Sequence, residues 1–224
     1  MARIRLTPNT LNGVNRAIKN AERKTSGEIA VAVIRQSYDY AAQELLFSIT
    51  VGFVYFFVMM FFSGPIETLI RSMFWDYSPR YLVMFYGFST FLVIFLIYFI
   101  ANIPFVDRMI VPRRVRIRKV NERAVRHFME SGVYNTRYRT GILLFISLLE
   151  RRVELLADRG ISKKIPQAEW NAIIGTIVDG IRNGPFESRL IEAVDRCGDL
   201  LAEHFPVQAD DVNELSDDIE VLEQ

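Results

Sequence analysis

Two stretches of this chain carry no charge at all. Residues 45–66 (LLFSITVGFVYFFVMMFFSGPI) lie between Glu44 and Glu67, and residues 81–106 lie between Arg80 and Asp107. A helix needs about 20 apolar residues to cross the ~30 Å hydrocarbon core of a bilayer, so both stretches are long enough. Buried helices of soluble proteins rarely run this far without a charge, and the pattern predicts a transmembrane hairpin with a short loop at 67–80. Trp75, Tyr77 and Tyr81 stand at the loop side, where amphipathic rings favour the headgroup region. Pro65 and Pro104 fall near the span ends and are expected to terminate helices there.

Outside the hairpin the pattern changes. Residues 7–25 predict a helix, with Thr7 as cap, Pro8 in the first turn, and Leu11, Val14, Ile18 and Ala21 on one stripe. Residues 28–35 (EIAVAVIR) are apolar on both parities, which predicts a strand covered on both faces. Residues 115–131 predict a cationic helix closed by Gly132. Residues 141–148 and 151–157 predict two strands joined in a tight hairpin. Residues 166–183 and 186–205 predict two amphipathic helices, with Cys197 on the inner stripe of the second. From 207 on, seven acidic residues, Asp210 and Asp211 among them, and no basic one predict a flexible acidic tail.

Residues 1–44 offer one helix and one strand, too little to bury a core alone. The expected organisation is therefore one α/β domain in two parts, 1–44 and 107–206. The hairpin 45–106 is inserted between them, and the tail 207–224 follows. The fold class expected is a small central β-sheet with helices on both faces.

Charge fixes the expected orientation. The run after the second span carries Arg108, Arg113, Arg114, Arg116, Arg118, Lys119, Arg123 and Arg126 against Asp107 and Glu122. Arg3, Arg5, Arg16, Lys19, Arg23, Lys24 and Arg35 precede the first span. The positive-inside rule then places both termini in the cytoplasm and the chain in the cytoplasmic (inner) membrane. Residues 7–20 (TPNTLNGVNRAIKN) contain no apolar run of signal-peptide type, so no cleavable signal is expected.

Arg108, Arg113, Arg114, Arg116, Arg118 and Lys119 are also expected to face lipid headgroups. The net charge of +1 excludes a globally basic nucleic-acid binder. The single cysteine excludes a disulfide framework or a cysteine-rich metal site. The spans hold no internal charge, which speaks against a transporter or channel acting alone.

The runs TSGEIAVAVI, TGILLFISLLERRVELLADRGI, WNAIIGTIVDGIRNG and AVDRCGDLLAEHF resemble the TPM domain family, in the bacterial branch whose membrane hairpin follows the first strand. The resemblance implies an α/β sandwich. It also brings the family's known activities as expectations: acid phosphatase activity in one lumenal member, an auxiliary receptor subunit in another, and calcium held by acidic loop residues in several. Gly27, Thr140, Gly141 and Gly160 match the family motif, as do Glu28 and Asp158. Arg137 and Arg139 stand where many members carry carboxylates.

Candidate chemistry is sparse. Calcium takes six to eight oxygen ligands. Glu28 and Asp158 are the candidate metal ligands, with Glu150 and Glu154 nearby in sequence. No other cofactor is expected. His127 and His204 lack metal-ligand spacing and are expected at the surface. Two functions follow. One is a membrane-tethered cytosolic binding or regulatory domain serving a membrane protein or complex. The alternative is a divalent-metal-dependent phosphatase working near the membrane.

Overall fold

The computed structural model describes residues 6–208 and 212–223, apart from the side chains of Pro104 and Phe105. The expectations resting on Arg3, Arg5, Asp210 and Asp211 lie outside the described residues. The chain forms two compact units, one from residues up to 38 and from 114 on, the other from 39–113.

In the first unit, α1 (Pro8–Glu22) starts at Thr7, whose hydroxyl accepts the Thr10 amide at 3.2 Å. Strand β1 (Glu28–Ile34) follows. The chain leaves for the second unit and returns as a helix over Arg113–Glu130. This return helix is α6; α2 to α5 belong to the second unit. After it come a 3₁₀ turn at Val133–Asn135, β2 (Gly141–Ser147), β3 (Arg152–Ala157), α7 (Arg159–Ser162), α8 (Gln167–Asn183), α9 (Phe186–His204) and β4 (Glu220–Leu222). The sheet order is β3-β2-β1-β4. β1 runs parallel to β2 over seven residue pairs, Glu28↔Gly141 to Ile34↔Ser147, while β2 and β3 form the expected antiparallel hairpin.

Apolar residues on both parities bury both faces of the sheet. Ile29, Val31 and Val33, with Ile142, Leu144 and Ile146, pack against α1, α8 and α9 through Ile18, Ile177, Val194 and Leu201. Ala32, Ile34, Leu143 and Phe145 meet Val120 and Ala124 of α6 on the other face. Cys197 is fully buried in the first of these cores.

The segment expected as a flexible tail departs from that expectation. β4 pairs in parallel with Ala32–Ile34 of β1, Ile219 is buried, and Leu215 and Leu222 pack on the α6 side. The acidic composition masked a short strand that covers an otherwise open edge of β1. His127, expected at the surface, is buried on α6, because it falls one turn after Ala124 on the stripe that faces the sheet.

In the second unit, α2 (Ala41–Phe61) and α4 (Pro79–Ala101) are each long and apolar enough to cross a membrane. They pack on each other where Gly52 lets Ile94 approach; a Cβ there would overlap the Ile94 side chain. The first apolar run breaks early. α2 ends at Phe61, and Pro65 sits in the first turn of α3 (Ser63–Met73), where its missing N–H costs little. A Glu67–Arg71 ion pair of 2.8 Å supports α3 inside the stretch expected as loop. Pro104 likewise starts a helix, α5 (Pro104–Ile110).

Gly141 and Gly175 give a paired test of packing. A Cβ on Gly141 would run into the Val133 carbonyl, whereas nothing lies within 4 Å of a Cβ on Gly175 in α8. Gly141→Ala is expected to destabilise the domain by about 1–3 kcal/mol. Gly175→Ala should stabilise it by about 0.5–1 kcal/mol. Melting of the full chain in detergent reads both.

Candidate functional site

The sequence-predicted residues gather at one end of the sheet. Glu28 opens β1 opposite Gly141 of β2, and the Asp158 amide donates to the Gly141 carbonyl at 3.0 Å, just past the end of β3. Glu28, Gly141 and Asp158 therefore form one row across three neighbouring chain segments. The motif residues around them are scaffold. The Glu28 amide donates to Thr140 O at 3.1 Å, and the Thr140 hydroxyl donates to Ser26 O at 2.9 Å. A Cβ on Gly27 would touch Leu201 at 3.0 Å. One on Gly160 would press on the Arg139 carbonyl, and Arg139 itself holds a left-handed φ of 54°. Glycine is needed at 141 and 160 for close backbone approach.

The two carboxylates of the row do different things. Glu28 accepts the backbone N–H groups of Glu214 and Leu215 at 3.2 and 3.4 Å, and so holds the C-terminal segment. Asp158 caps α7, accepting the Arg159 amide at 2.6 Å on Oδ1. Its Oδ2 is buried with no hydrogen-bond partner among the described residues. Glu154 and Glu150 do not join them. Glu154 pairs with Arg152 at 2.6 Å. Glu150 lies at the other end of the sheet, where its carboxylate accepts the Ser37 amide at 3.1 Å and the Ser147 hydroxyl. Among the described residues no group of three or more His, Cys, Asp or Glu side chains is placed to hold a metal ion. Glu28 and Asp158 alone fall short of a calcium cage.

Sequence reasoning missed two carboxylates beside Glu28. Glu22, at the end of α1, and Asp217, in the C-terminal segment, line a cleft of about 250 Å³ with Glu28, Lys19, Arg23, Thr25 and Asn213. Glu22 Oε1 accepts the Ile29 amide at 2.9 Å, and Lys19 Nζ stands 4.0 Å from Asp217. Burial pushes the Glu22 carboxyl up to about 9 from its ordinary 4.5. The Ile29 bond opposes this, while Asp217 and the charge of Glu28 reinforce it. The signal that could have found Asp217 was its place two residues before the buried Ile219. Glu22 has no comparable signal, because a helix-end glutamate is ordinarily solvated.

Two groups sit outside this cleft. Burial pushes the Cys197 thiol up to about 12, as befits a core residue rather than a nucleophile. Burial also holds His127 below its usual value, against the pull of Glu220 at 3.2 Å.

Residues 109–200 match the family model of the TPM domain. The matched span holds α6, β2, β3, α7, α8 and most of α9, all of them after the apolar hairpin. No curated protein matches the chain. Among solved structures, the chain is similar to the BA42 protein from the psychrophilic bacterium Bizionia argentinensis, determined by NMR. The two are 18% identical with a TM-score of 0.58, and the match covers 99% of each chain. At this identity the likeness shows the fold. The TPM resemblance and the α/β class read from the sequence are both borne out.

Glu22 yields a pH prediction. The native carboxyl keeps its proton up to about 9, whereas the unfolded one releases it near 4.5. The stability tied to this proton is complete below the lower value and is lost as pH rises through the upper one. Glu22→Gln keeps a carbonyl for the Ile29 amide and offers Asp217 an N–H in place of the carboxyl O–H, with no proton to lose. It is expected to flatten the loss and to stabilise the domain at alkaline pH by about 1 kcal/mol or more. Melting curves across the window between the two values check this.

Proposed function

We propose that this chain is a membrane-tethered accessory domain. Its apolar hairpin lies in the cytoplasmic membrane, both termini are cytoplasmic, and the TPM-fold unit engages a membrane protein or complex there. The observation that carries the tether is the surface of α2 and α4. Phe53, Phe57, Phe61, Phe88, Phe91 and Phe99 are all exposed, Phe61 by 88%. Water does not tolerate a continuous apolar surface of this kind, and lipid covers it without cost. The cation excess on the segments flanking the hairpin supports the orientation. A binding role fits the carboxylates, since Glu28 and Asp158 are engaged in holding backbone N–H groups.

The lone cysteine makes the topology directly testable. Cys197 is buried and its thiol is held far from ionisation, so it contributes little maleimide labelling. Ser78→Cys, before α4, is expected to react with a membrane-impermeant maleimide in intact cells. Gln208→Cys is expected to react only after the cells are opened. Labelling of Gln208→Cys in intact cells would overturn the orientation.

One observation favours the alternative, a divalent-metal-dependent phosphatase: Asp158 Oδ2 is buried without a partner among the described residues. A calcium titration of melting temperature separates the readings. A ligand at a hundredfold over its Kd adds about 2.7 kcal/mol of stability. The accessory reading expects no saturable shift in the full chain. A shift lost in Asp158→Asn, with p-nitrophenyl phosphate hydrolysis lost alongside it, would move the assignment to the phosphatase.

A further inference from the structure

We infer that the first two turns of α6 form a binding surface for the headgroups of anionic phospholipids. This rests on the tether reading and adds a lipid preference to it. The N-terminal end of a helix carries unpaired N–H groups and a positive partial charge, and proteins commonly place Asp or Glu there. α6 does the reverse. Its first turn has no acidic residue, and Arg113, Arg114, Arg116, Arg118 and Lys119 crowd its first seven positions.

Little neutralises them within the chain. Arg118 and Lys119 share one carboxylate, Glu122, at 3.6 and 3.0 Å. Arg113, Arg114 and Arg116 form no ion pair among the described residues. Arg113 and Arg114 are exposed, and Arg116 Nε is shielded from water without an acceptor among the described residues. The helix cannot roll to relieve this, because Val120 and Ala124 are buried against the sheet. Five cations spread along about 9 Å of helix, so an array of phosphates suits them better than one small anion. The membrane is the source nearest in the chain, since α4 ends at Ala101 and α6 begins at Arg113. Residues 113–126 contain no aromatic side chain for bases to stack on, which disfavours nucleic acid as the occupant.

The full chain reconstituted into nanodiscs tests this, with phosphatidylcholine alone compared with a mixture containing phosphatidylglycerol. Amide hydrogen exchange over residues 113–119 is the readout. Exchange there is expected to slow by about tenfold in the anionic discs. The slowing should vanish when Arg113→Gln, Arg114→Gln and Arg116→Gln are combined, while protection of β2 stays unchanged. Equal exchange in both discs, with the chain incorporated in both, overturns the lipid surface and leaves the tether standing. A chain that enters neither disc overturns both. Equal slowing by dissolved poly-uridine RNA in the phosphatidylcholine discs overturns the lipid assignment in favour of a general polyanion site.

Discussion

The structure depends on the parallel pairing of β1 with β2. Seven residue pairs join a strand near the start of the chain to one that begins more than a hundred residues later, with the apolar hairpin between them. Neither strand has a use for its apolar residues alone. Paired, they present Ile29, Val31, Ile142 and Leu144 to one helical layer and Ala32, Ile34, Leu143 and Phe145 to another. Parallel strands require a crossover between them and cover on both faces. Here the crossover is the second unit followed by α6, and α6 supplies the cover for one face.

That constraint explains what was legible in the sequence. EIAVAVI and GILLFIS are apolar on both parities, so their burial in the centre of a sheet could be read without a partner in view. The helical stripes of α1, α8 and α9 were equally plain, and their observed bounds fall within a few residues of those expected. β4 was not legible in the same way. Three residues with Val221 half exposed carry almost no pattern, and the surrounding acids imitate a solvated tail. Its position is set by tertiary contacts, namely the open edge of β1 and the Asn15 side chain. Asn15 accepts the Ile219 amide at 2.9 Å and donates to Asp218.

The site was half legible for the same reason. Glu28, Gly141 and Asp158 sit at strand ends, where alternation and turn residues locate them, and they do form one row, with Thr140 beside it. Asp217 reaches the cleft only because β4 docks, and the one local cue to it is the apolar Ile219 two residues later. His127 shows the opposite failure. A histidine in a run rich in arginine reads as solvated, yet its heptad-like spacing from Val120 puts it on the buried stripe beside Phe145.

The carboxylates of this domain are best understood through their acceptor capacity. A short edge strand and a four-residue helix both leave backbone N–H groups without ladder partners. Glu28 satisfies two in the C-terminal segment, Asp158 satisfies one at α7, and Glu22 reaches the Ile29 amide beside the sheet. Placing three acids this way concentrates negative charge at one end of the sheet. The fold meets that charge partly by keeping Glu22 protonated and partly through Lys19 beside Asp217. Cations are instead concentrated on α6, on the face of the sheet opposite α1. The charge separation seen along the sequence is thus built into the three-dimensional domain. The acids serve to close the fold, whereas Arg113 and Arg114 at the start of α6 stay exposed.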